Sequence, residues 1–103
     1  LFWLLLILLL SEQIQNELFV GYQAKERSVL KNFFESTNGS NWLVNDNWLS
    51  DDTSVCSWYG VQCSDNDTII TIDLHSNKLL GTIPESIGQL NSLLQLILFS
   101  LCI

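Results

Sequence analysis

The sequence predicts the start of an α/β solenoid: a helical, cysteine-bearing cap followed by one full and one partial 24-residue repeat. Three observations carry this. Apolar residues recur at fixed, unequal offsets (Ile69, Ile72, Leu74, Leu79, Ile83, Ile87, Leu90), and the pattern restarts at Leu93, 24 residues after Ile69. Upstream, Val29, Leu30, Phe33 and Phe34 fall on one helical face. Between the two lie Cys56 and Cys63, which enclose six residues and flank Trp58.

Leu1 to Leu10 form ten apolar residues without a charge. Ten are too few to span a bilayer and suit the apolar region of a signal peptide, so residues 1–11 read as a signal-peptide h-region or membrane leader. Residues 12–23 are a polar-apolar lead-in with no clear period. From Ala24 to Ser36 the spacing predicts a helix, with Asn38-Gly39 as its stop. Lys25, Arg27 and Lys31 share neighbouring turns with Glu26 and Glu35 interleaved, which reads as a solvated face. Residues 40–55 are rich in Asn, Asp and Ser and read as loop.

Neither a helical period nor simple strand alternation fits residues 69–98, whereas one strand, a turn and a return segment per unit does; that is the pattern of a leucine-rich repeat. Ile72 and Leu74 would point to an interior shared with the next coil, and Thr71, Asp73 and His75 outward onto a concave face. Asn77 would end the strand and bond backbone groups inside the bend. Gly81 permits a tight or left-handed backbone, and Ile83-Pro84 holds an extended segment. Ile87, Leu90 and Leu93 would close the core of the coil.

The run Leu79-Leu80-Gly81-Thr82-Ile83-Pro84 resembles the plant-type class of extracellular leucine-rich repeats. The run Cys56-Ser57-Trp58-Tyr59-Gly60-Val61-Gln62-Cys63 resembles the core of that family's N-terminal cap. Thr37 to Trp42 and Asn47-Trp48-Leu49 are similar to the rest of it. The resemblance covers residues 25–98 and implies a cap over 24–65 and repeats over 69–103, the second incomplete. It also implies the surroundings of such proteins: receptor ectodomains, adhesion modules and inhibitors of secreted enzymes.

Cys56 and Cys63 enclose a loop that a disulfide could close; the alternative is two buried thiols in a reducing compartment. Cys102 is left over. The apolar leader and two glycosylation acceptors, at Asn38 and Asn66, favour a secreted protein or the extracellular face of a membrane. Trp42, Trp48 and Trp58 are expected to fold over the end of the first coil, shielding its apolar surface. An aromatic ligand cage is the sharper alternative.

Function is bounded mostly by exclusion. A net charge of −7, from 4 basic and 11 acidic residues, argues against a nucleic-acid partner. One histidine, no phosphate loop and no paired metal ligands give no catalytic site, no metal site and no cofactor. Asp65-Asn66-Asp67 begins like a calcium loop, but position 69 is Ile and no glycine follows. Asp51-Asp52 read as solvated.

What remains is a non-catalytic module recognising a protein or peptide. The concave face is expected at Thr71, Asp73, His75 and Ser76, with Gln95, Ile97 and Phe99 one period on. The alternative is a truncated structural or vestigial product without its own partner. Two departures feed it: Leu101 stands where the second repeat should carry asparagine, and Ile97 and Phe99 are apolar at outward positions. With so few repeats the chain is expected to be marginally stable and to associate through an apolar edge.

Overall fold

The computed structural model of the protein describes residues 24–99. Helix α1 is helical from residue 24 through residue 36. Its buried stripe is the expected one, with Leu30 and Phe33 fully buried and Val29 and Phe34 nearly so. The chain leaves the helix at Asn38-Gly39, and the two residues divide the work. Asn38 takes the left-handed conformation at φ 60, which a short amide tolerates. Gly39 is required by space instead, since a Cβ there would sit 2.1 Å from the Phe34 ring.

Three strands form one sheet in the order β1-β2-β3: β1 Val61–Cys63, β2 Ile69–Asp73 and β3 Gln95–Ile97. Strand β1 returns antiparallel into β2, with Val61 opposite Ile72. Strand β3 lies parallel to β2, pairing Thr71 with Gln95, Ile72 with Leu96 and Asp73 with Ile97. Each of these pairs is separated by 24 positions, so the sequence period is also the strand register. Backbone bonds from Leu94 to Ile70, Leu74 to Ile97 and Ser76 to Phe99 extend the ladder at both ends.

Parallel neighbours need a crossover, and here it is supplied by residues 74–94. Gly81 holds φ 124 and packs its bare Cα against the end of α1, where a Cβ would meet the Ser36 carbonyl oxygen at 2.1 Å. On either side, Leu80 and Thr82 donate backbone bonds to the Thr37 and Ser36 carbonyls, which the helix leaves without internal partners. Pro84 is extended, a 3-10 turn spans Glu85–Gln89, and Leu90 returns to the core.

One apolar cluster joins these parts. It contains the α1 stripe, Trp42, Trp48, Trp58, Val55, Val61, Ile69, Ile72, Leu74 and Leu90, with Ile87, Leu93, Leu96 and Leu98 packed against it. The tryptophans are core residues: Trp42 meets Trp48 edge-on at 4.9 Å, and Trp48 stacks on Phe34 at 5.8 Å. With 8% exposure or less, none of the three rings offers an open aromatic cage. The Cys56–Cys63 disulfide, Cα–Cα 5.6 Å, ties the 3-10 turn Val55–Ser57 to the end of β1.

The expectation of a solvated basic-acidic face on α1 needs correction at two residues. Glu26 is buried, and its Oε1 accepts the Ile69 backbone N–H at 3.3 Å. Helical geometry explains this: Glu26 lies four residues before Leu30 and seven before Phe33, on the buried stripe. Arg27 is half-buried, donates to the Ser50 and Thr53 carbonyls and lies over the Trp58 ring at 5.4 Å. It pins the 50–53 loop to the helix.

Asn77 also departs from expectation. It is buried, and its amide bonds the backbone of Val44 in the cap loop, not groups within its own bend. Leu80, Ile83, Leu94 and Phe99 are large exposed apolar residues. The leader over 1–11, the lead-in over 12–23, Leu101 and Cys102 lie outside the described residues. Among those described, no helix is long and apolar enough to cross a membrane.

Candidate recognition face

Alternation along β2 sends Ile72 and Leu74 inward, both fully buried, and leaves Thr71, Asp73 and His75 on the opposite face. The parallel register sets Gln95 beside Thr71 and Ile97 beside Asp73. Past the strand ends the same ladder brings Phe99 to His75, ring centroids 6.0 Å apart and nearly parallel at 24°. Six outward side chains thus form two rows of three. Thr71, Asp73 and Ile97 are half-buried, while His75, Gln95 and Phe99 are exposed. Ser76 is exposed at φ 54, where the chain turns out of the ladder.

Asp73 and His75 form one unit. Asp73 Oδ1 accepts both the backbone N–H of His75, at 3.2 Å, and a contact with His75 Nδ1 at 2.6 Å. The bond from the His75 side chain holds the Asp73 carboxyl below its ordinary value, against a smaller opposing effect of burial. Gly60 supports Asp73 from the other side: its carbonyl accepts the Asp73 N–H at 2.8 Å. A Cβ at Gly60 would lie 2.3 Å from the Asp73 carbonyl oxygen, and φ there is +82.

The other sequence-selected positions lie elsewhere. Asn66 is exposed in the turn between β1 and β2, which a Ser64–Thr68 backbone bond closes. Asn38 is half-buried at the end of α1, and its Oδ1 accepts from Asn41 Nδ2 at 2.9 Å. Asp51 and Asp52 are exposed. Among the described residues no three His, Cys, Asp or Glu side chains are grouped as a metal ion would need.

A cleft of about 260 Å³ lies between Arg27, Lys31, Leu49, Asp51 and Trp58, away from the strand face. Val44, Glu26 and Arg27 carry structural roles that were not picked out from the sequence. Only Glu26 had a local signal, its place on the apolar helical stripe.

Residues 24–64 match the leucine rich repeat N-terminal domain family. Three similar curated proteins from Arabidopsis thaliana illustrate the likeness, and of these a probable inactive leucine-rich repeat receptor-like protein kinase is 38% identical over 62% of this chain and 9% of its own length. A probable leucine-rich repeat receptor-like serine/threonine-protein kinase is 30% identical over 76% of the chain and 12% of its own. Phytosulfokine receptor 1 is 37% identical over 47% of the chain and 5% of its own. The chain therefore spans only a small part of these relatives, and the likeness covers their leucine-rich repeat N-terminal region, not a kinase domain. No solved structure matches. Residues 24–64 are the N-terminal cap of a plant-type leucine-rich repeat protein.

Proposed function

We propose that the chain is the opening portion of an extracellular, non-catalytic recognition module. In this reading residues 69–103 begin an α/β solenoid, one full coil and one partial, and the partner is a protein or peptide lying along the outward strand face. The observation that carries it is the 24-residue parallel register, which sets Thr71, Asp73 and His75 beside Gln95, Ile97 and Phe99 on one accessible surface. The receptor names of the relatives support the same reading. The Cys56–Cys63 disulfide and the Asn38 and Asn66 acceptors support an extracellular setting.

Selection from a random peptide display library on the full chain, disulfide intact, tests this. A counter-screen uses Thr71→Arg combined with Gln95→Arg, which projects bulk from both rows. Enriched peptides are expected to lose about tenfold or more in affinity on the variant. Recovery only of peptides indifferent to the variant, or of none, would overturn the reading.

A further inference from the structure

The outward face carries a constellation whose hydrogen-bonding capacity is one-sided. Both contacts from His75 go to Asp73 Oδ1, so among the described residues Oδ2 keeps no partner. The Asp73 side chain is 34% exposed and that of His75 51%, so both are open to an approaching group. An ionised Asp73 can only accept, so the hydrogen in the Asp73–His75 contact belongs to Nδ1.

An accessible carboxylate, engaged by His75 through one oxygen only, therefore lies beside a pair of stacked rings. Phe99 stacks on the imidazole yet remains 59% exposed, leaving ring surface for a further contact. Among the described residues no lysine or arginine forms an ion pair with Asp73. The chain's net charge of −7 attracts cations from a distance.

We propose that Asp73, His75 and Phe99 form a receptor site for a basic side chain of the partner, and for arginine above lysine. A guanidinium is planar, donates in parallel to a carboxylate and lies flat against aromatic surface, which matches the Asp73 carboxylate beside the Phe99 ring. An ammonium satisfies the charge but neither the plane nor the stack. Thr71 and Gln95, with neutral polar side chains, then accommodate the neighbouring stretch of the partner. This assignment rests on the recognition reading above and specifies the partner's chemistry.

The test is nuclear magnetic resonance titration of the ¹⁵N-labelled full chain with acetyl-Gly-Arg-Gly-amide. The same peptide with citrulline, the neutral isostere of arginine, or with lysine or glutamate serves for comparison. The arginine probe is expected to give saturable shifts confined to the outward rows, binding about tenfold more tightly than the citrulline probe. Asp73→Asn, which retains an acceptor for His75, should remove most of that advantage, and Phe99→Ala should narrow the gap between arginine and lysine.

Equal binding of arginine and citrulline, an unchanged preference in Asp73→Asn, or shifts elsewhere on the chain would overturn the proposal. The library selection separates the two levels. Peptides that depend on the outward face but lack basic residues would sink the basic-side-chain site and leave recognition standing. Loss of all such peptides would sink both.

Discussion

The side-chain amide of Asn77 grips the backbone of Val44 with both of its ends. Asn77 Oδ1 accepts the Val44 N–H at 2.7 Å, and Nδ2 donates to the Val44 carbonyl at 2.8 Å. The Asn77 carbonyl also accepts the Leu43 N–H at 3.2 Å. These bonds stitch the loop after α1 to the turn after β2, so cap and first coil share one polar seam beside a common core. Replacing Asn77 by Ala leaves both Val44 groups unpaired and is expected to cost about 2–4 kcal/mol. Asp in its place keeps an acceptor but loses the donor, so it should not restore stability. Urea denaturation of the three proteins measures both effects.

Gly81 and Gly88 make a matched pair. A Cβ at Gly81 meets the Ser36 carbonyl oxygen at a left-handed φ, whereas a Cβ at Gly88 meets nothing within 4 Å. Gly81→Ala is expected to destabilise by about 1–3 kcal/mol, and Gly88→Ala to be neutral or slightly stabilising. Equal midpoints for the two variants would contradict the docking of the crossover on α1.

Removing the disulfide by Cys56→Ser with Cys63→Ser should lower stability by about 2–3 kcal/mol, on the chain-entropy account of so short a loop. Non-reducing peptide mapping of the intact protein is expected to recover Cys56 and Cys63 in one linked fragment. A free thiol at either position would refute the pairing.

Asp73 links the outward face to pH. Its folded carboxyl titrates below the ordinary value because His75 bonds its ionised form. The stabilisation is therefore fully present above the unfolded carboxylate pKa of about 4 and is lost as pH falls through the lower folded value. His75→Ala should move the Asp73 titration back up toward that ordinary value, as followed by carboxyl carbon chemical shifts. It should also reduce the acid sensitivity of the chain just below pH of about 4. No movement of the Asp73 titration would mean that the contact does not persist in solution.

The two glycosylation acceptors differ in surroundings. Asn66 projects from a hairpin turn, and Asn38 sits half-buried with its oxygen engaged by Asn41. Expression through a eukaryotic secretory pathway is expected to place glycan on Asn66 with higher occupancy than on Asn38, read by site mapping after enzymatic deglycosylation. Higher occupancy at Asn38 would reverse this ordering.

Much of the fold follows from local periodicity, which a linear sequence displays directly. The buried stripe of α1, the inward pair Ile72 and Leu74, and the 24-residue spacing that became the β2–β3 register were all legible there. So was the alternation that sets Thr71, Asp73 and His75 together, because side chains two apart in a strand share a face. Contacts across large separations left no local trace. Asn77 is 33 residues from Val44 and Glu26 is 43 from Ile69, and the partner in each case is a backbone group that any residue could supply.

Tertiary structure alone decided that Arg27 would hold two loop carbonyls and not face solvent. It also decided between the two readings open for the tryptophans, burying them in a core and leaving no open cage. Only the folded ladder brings Phe99 over His75 and so sets an exposed ring beside the Asp73 carboxylate. The division has one physical cause. Periodicity records which way a side chain faces, but its contacts depend on what distant segment arrives, and that is set when the crossover closes.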